Sequence, residues 1–163
     1  MTTVASKFAE FIQWLNDSSI PYFIAWGYEN LPKQNSGGDV DIYVHPSYFE
    51  QVIDKLVKKN YSYIYCPANH KHAHLSCING YSIDLFCSFC FAYKGKTTVL
   101  NIKDPELLLY GKRFVTKNKY GLDGFWVASP ILEALFNALR VIGGRIDCIT
   151  RVEKFFGDQM NNG

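Results

Sequence analysis

The chain of 163 residues has no long hydrophobic run. Between Met1 and Ser19 a lysine and a glutamate break the apolar spacing, so that segment reads as neither a signal peptide nor a membrane anchor, and the expected location is the cytoplasm. Net charge is nearly missing as well: 17 Lys and Arg stand against 15 Asp and Glu. A balance this even leaves no electrostatic footprint for nucleic acid or a membrane surface, and neither is expected as a partner. Repeats, low-complexity tracts and linker-like stretches are absent, which leaves a single domain over 1–163. The cysteines (Cys66, Cys77, Cys87, Cys90 and Cys148) form an odd set, which fits free thiols in a reducing compartment better than a disulfide framework. What the chain does have is material for a core. Apolar residues make up 48% and charged residues 20%, near the averages of folded globular proteins, which excludes disordered, collagen-like and coiled-coil chains.

Val4, Phe8, Phe11, Ile12 and Leu15 recur at helical spacing and predict a helix over 3–17. Tyr22 to Trp26 is an aromatic and β-branched run that reads as a strand stopping at Gly27. Residues 28–38, with Pro32, Asn35, Ser36, Gly37 and Gly38, read as a loop. From Asp39 to Val44 the alternation is strict: Asp39, Asp41 and Tyr43 point one way and Val40, Ile42 and Val44 the other. Ser47 and Glu50 make a capping box for a helix over 47–59. Tyr61 to Cys66 is a third strand, and 73–78 and 81–89 flank Asn79-Gly80, a two-residue hairpin signal. Asp104-Pro105 and Ser129-Pro130 open two further helices, and Gly143-Gly144 separates the second from a last helix near 146–157. Residues 114–127 read as a hairpin around Lys119 to Gly124. These elements amount to an α/β (α+β) chain with a mixed, largely antiparallel sheet of about five strands. Helices pack on one face, 1–92 is the core, and 93–163 is a mainly helical extension.

Two aspartates one residue apart on a strand put both carboxylates on one face, where they can share divalent cations. Asp39 and Asp41 stand in this way directly after Gly37-Gly38, where the lack of side chains lets a backbone or a phosphate come close. A third acid, Asp84, shares its strand face with Ser82 and Phe86. Two acids for metals and a third that ligates or takes a proton suit two-metal phosphoryl or nucleotidyl transfer.

The order helix, strand, glycine, Gly37-Gly38-Asp39-Val40-Asp41-Ile42, helix, strands, Ile83-Asp84-Leu85 resembles the nucleotidyltransferase superfamily that includes polymerase beta and small antibiotic- and protein-modifying nucleotidyltransferases. The resemblance covers residues 1–90, with the helices from 130 onward standing for the family's helical extension. It implies that Asp39, Asp41 and Asp84 bind magnesium or manganese with a nucleoside triphosphate, Asp84 completing the metal site and activating the acceptor. Gly27, Tyr28, Gly37 and Gly38 are implied to hold the nucleotide. One position departs from the pattern: the family usually has Gly-Ser or Gly-Gly after the first strand, and this chain has Gly27-Tyr28, so the Tyr28 oxygen or the turn's amides stand in for the serine. The implied reaction moves a nucleoside monophosphate from the triphosphate to a small-molecule or protein acceptor. The alternative is a catalytically inactive domain of this fold that binds a nucleotide or a partner protein. Lys112, Arg113, Lys117 and Lys119 are candidates to neutralise a phosphate tail.

His70, His72 and His74, with Cys66, Cys77, Cys87 and Cys90, give a separate zinc reading. A two-residue turn at Asn79-Gly80 pairs His74 with Leu85, His72 with Cys87 and Leu75 with Asp84, placing the histidines on the face opposite Asp84. A slip of one residue exchanges those faces.

Overall fold

A computed structural model describes residues 3–33, 38–66, 69–78, 80–93, 96–100, 104–142 and 146–161. The expected Gly37, Asn79, Gly143 and Gly144 positions lie outside them. Helix α1 (Val4–Asp17) buries Phe8, Phe11, Ile12 and Leu15, and the Thr3 hydroxyl caps it by accepting from the Ser6 N–H. Strands β1 (Tyr22–Ile24) and β2 (Asp39–Val44) follow, then α2 (Phe49–Val57), β3 (Ser62–Cys66), β4 (Asn69–Ser76) and β5 (Ser82–Phe86). A two-stranded sheet of β6 (Phe89–Tyr93) and β7 (Lys96–Leu100) stands apart. After it come α3 (Pro105–Tyr110), β8 (Lys112–Lys119), β9 (Leu122–Ala128), α4 (Pro130–Ile142) and α5 (Ile149–Asn161).

The main sheet has seven strands, in the order β3-β4-β5-β2-β1-β9-β8, rather than about five. The two additional strands are the hairpin expected around Lys119 to Gly124. Tyr120 and Gly121 both take positive φ there (57° and 73°), the turn whose twist matches a hairpin. Because β9 pairs in parallel with β1, this hairpin widens the main sheet. Strand β2 lies in the middle, antiparallel to β1 and parallel to β5.

The Ser47–Glu50 capping box does not form. Pro46 opens a short 3-10 turn instead, the His45 Nδ1 accepts from the Ser47 N–H at 3.2 Å, and α2 starts at Phe49 without a side-chain cap. The β4–β5 register also differs from the expected one by a single residue: His74 pairs with Asp84, Leu75 with Ile83, Ala73 with Leu85 and His72 with Phe86. The cause is burial. Ala73, Leu75, Ile83 and Leu85 are fully buried, and this pairing, unlike the expected one, puts all four on one face.

That face, with Val40, Ile42 and Val127, packs under α1 and α2 and forms the larger core. The opposite face is covered in part. Phe23, Tyr43 and Phe86 pack there with Leu108 and Leu109 of α3 and Leu132 and Phe136 of α4. Phe23 stacks on Tyr43 and Phe136 with ring centres 4.9 and 5.8 Å apart. Beyond that aromatic layer, at the N-terminal end of β2, the face is polar and open. No helix of the described residues is long and apolar enough to cross a membrane.

Candidate active site

Parallel strands in register present paired residues to one face, so β2 and β5 set Asp41 beside Asp84 and Asp39 beside Ser82. The β4 register adds His74 and His72 to the same face. His74 Nδ1 lies 2.9 Å from Asp84 Oδ1 and 3.6 Å from Asp39 Oδ2, and His72 Nε2 lies 3.7 Å from Asp84 Oδ2. Among the described residues, Asp39, His74 and Asp84 are the group whose ligand atoms converge, all within 4.8 Å of one another.

The three acids sit in unequal environments. Burial pushes the Asp41 carboxyl up to about 7, and the charges of Asp84 and Asp39 add to the effect. Arg140 and a hydrogen bond from the Trp26 indole oppose it without cancelling it. Asp84 is also partly buried, which raises its pKa, but the His72 imidazole beside it and the hydrogen bond with His74 outweigh burial and hold it below the usual carboxylate value. His74 is correspondingly held above its ordinary value by its hydrogen bond to Asp84.

A cavity of about 970 Å³ opens over these groups. Its lining joins Asp39, Asp41 and Asp84 to one stripe of α4 and one stripe of α5, including Arg140, Arg151 and Lys154. Residues 130, 133, 137 and 140 recur at helical spacing, which explains why one side of α4 faces the cavity. Arg140 lies over the Trp26 ring, 4.5 Å from its centre, and so stands just before the Gly27 turn.

Gly27 and Gly38 line the cavity. Gly27 holds φ of +72°, the left-handed region that glycine enters without strain. Tyr28 turns elsewhere: its hydroxyl accepts from Arg113 Nη2 at 2.7 Å and hydrogen-bonds Glu133. Burial first, then Glu133, pushes that hydroxyl up to about 12. Lys117 donates to the Glu29 carbonyl at 2.9 Å, and Lys112 lies over the Trp126 ring at 4.3 Å. Arg113 and Lys117, read above as phosphate neutralisers, therefore brace the loop after β1, and the cations that line the cavity come from α4 and α5. Nothing local in the sequence marks those cations; their helical spacing on a cavity wall becomes visible only with the fold.

The histidine and cysteine cluster is divided. Cys87 is buried in the larger core, and burial pushes its thiol up to about 11, while His72 and His74 stand on the acid face. The His70 and Cys90 side chains lie outside the described part of the structure. Sequence reasoning missed the meeting of His72 and His74 with Asp84. The signal was present in Ala73 and Leu75, whose apolar character requires the face of Ile83 and Leu85.

No family model and no curated protein matches the sequence. Solved structures do resemble the fold. The lincosamide antibiotic adenylyltransferase LnuA, in its lincomycin-bound crystal structure, superposes with a TM-score of 0.55 at 13% identity, covering 83% of this chain and 87% of that one. The antibiotic-resistance factor ANT(2'')-Ia, solved in solution, gives 0.54 at 8% identity over 99% of this chain and 94% of that one. A Thermotoga maritima protein described as a nucleotidyltransferase gives 0.56 at 15% identity over 93% and 91%. The chain has the fold of the nucleotidyltransferase superfamily.

Proposed function

We propose that this protein transfers a nucleoside monophosphate from a nucleoside triphosphate to a small-molecule or protein acceptor, with magnesium or manganese as cofactor. The observation that carries this reading is the convergence of Asp39, Asp41 and Asp84 from two parallel strands on one cavity that also holds Arg140, Arg151 and Lys154. Cations suit the acid side, because Asp39, Asp41 and Asp84 line one cavity wall and the donor set is rich in carboxylate oxygen. Asp39, Asp41 and Asp84 would hold the metal, which supplies charge neutralisation and orientation of the triphosphate.

The protein's own part is positioning. Arg140, Arg151 and Lys154 attract the phosphates, and the backbone at Gly27 and Gly38 lets them approach. Tyr28 acts through the turn, which Arg113 fixes by its hydroxyl. An acceptor hydroxyl attacks the α-phosphorus, its oxygen–phosphorus bond forms as the bond to the bridging oxygen breaks, and pyrophosphate leaves. The hydroxyl proton passes to Asp84 or to solvent. The lowered pKa of Asp84 favours its service as a ligand over service as a base.

The protein would act as one domain in the cytoplasm, without a nucleic-acid or membrane partner. Pyrophosphate release over a panel of triphosphates tests the reading. The acceptor panel starts from lincosamide antibiotics, because LnuA was crystallised with lincomycin, and extends to proteins. Release that needs cation and acceptor and disappears in Asp41→Asn is the expected result. The second reading, an inactive domain that binds a nucleotide or a partner protein, is favoured by the occupied Tyr28 hydroxyl; nucleotide binding without release would select it.

A further inference from the structure

We infer that His74 is itself a ligand of the cation held by Asp39 and Asp84, which makes this a mixed nitrogen and oxygen site that prefers a first-row transition cation such as Mn2+ to Mg2+. The inference rests on reading the acid cluster as a metal centre and adds a ligand from a third strand. Its basis is distance. Ligand atoms about 2.1 Å from one ion lie about 3.0 Å apart at right angles and about 3.4 Å apart at the tetrahedral angle. His74 Nδ1 is 2.9 Å from Asp84 Oδ1 and 3.6 Å from Asp39 Oδ2, spacings that bracket those values. Asp39, His74 and Asp84 each bring one ligand atom to a group no wider than 4.8 Å, which small side-chain adjustments around an ion would close.

The imidazole is not there for the core. Strand β4 is anchored through Ala73 and Leu75 on its other face, whereas the His74 side chain is 46% exposed at the polar end of the sheet. His72 reaches the second oxygen of Asp84 and so orients that carboxylate from the far side. A magnesium ion prefers an octahedron of oxygens and keeps much of its water. Imidazole nitrogen shifts the balance of a site toward transition cations, while carboxylates keep manganese among the ions it accepts. Asp39 and Asp84 with His74 is a donor set of that intermediate kind.

The test uses the metals alone on the full chain, with neither nucleotide nor acceptor. Electron spin-echo spectroscopy of bound Mn2+ should show coupling to a directly bound nitrogen in the parent protein and in His72→Gln, and none in His74→Gln. Calorimetric titration should show Mn2+ binding weakened about tenfold in His74→Gln, with Mg2+ binding changed less than about twofold. His74→Asn serves as a second variant should the first unfold. Nitrogen coupling missing from the parent, coupling that persists without His74, or equal loss of both metals would each overturn the inference. These outcomes separate it from the transfer reading: a protein that binds Mn2+ through nitrogen and releases no pyrophosphate keeps the ligand and loses the reaction. One that turns over with an all-oxygen cation site does the reverse.

Discussion

The two faces of β2 have opposite fates. Val40 and Ile42 are buried beneath α1 and α2, and one residue away Asp39 and Asp41 line an open cavity. The same alternation runs through β5, with Ile83 and Leu85 in the core and Asp84 in the cavity, and through β4, with Ala73 and Leu75 against His72 and His74. The difference teaches that stability and chemistry are assigned to separate sides of the same few residues. A change on one side should leave the other largely intact.

The strongest way to break the comparison is from the buried side. Ile42→Ala removes a side chain with no exposure and should lower unfolding stability by about 2–5 kcal/mol, measured by urea denaturation. Asp39→Asn, its near neighbour on the other face, should cause no comparable loss.

Next comes a change expected to stabilise. A carboxyl whose pKa is raised on folding stabilises the fold at acid pH, and that contribution fades as pH climbs from the ordinary value toward the folded one. For Asp41 the interval runs from 3.8 to about 7. Asp41→Asn in the cation-free protein should therefore raise stability by about 1–2 kcal/mol near pH 8 and change it little near pH 4, as read from denaturation at both. A loss at pH 8 would place Asp41 on the structural side.

Smallest is the contrast between the two cavity glycines. Gly27→Ala forces a side chain into positive φ and should cost about 1 kcal/mol. Gly38→Ala meets nothing within 4 Å and should leave the melting temperature unchanged, while weakening triphosphate binding where phosphate approaches that backbone.

Much of this division is legible in the sequence. Strict alternation from Asp39 to Val44 identified both the acid face and the greasy face, and the short Ser-Ile-Asp-Leu-Phe strand identified Asp84. Helix starts with an Asp or Ser cap before proline were equally readable: Asp104 accepts from the Glu106 N–H at the start of α3 as its residue type requires. The β4–β5 register departs from the sequence expectation: Asn79-Gly80 reads as a minimal turn, whereas His74 pairs with Asp84 and Leu75 with Ile83. The burial demand of Ala73 and Leu75 outweighs a local turn preference, and a one-residue shift carries both histidines across the sheet. The basic residues of the cavity were not legible at all. Arg140, Arg151 and Lys154 reach it through the packing of α4 and α5, which no local pattern encodes.

The most direct measurement of the central claim is a thermal melt with and without divalent cation and triphosphate, on the parent protein and on Asp39→Asn with Asp41→Asn. Ligand at about 100 times its dissociation constant should stabilise the parent by about 2.7 kcal/mol. The double variant should melt no lower than the ligand-free parent, since repulsion among the carboxylates is relieved without loss of volume, and should show no ligand-dependent shift. A parent indifferent to cation and triphosphate, together with a double variant that unfolds more easily, would contradict the account and place the aspartates among the residues that hold the fold.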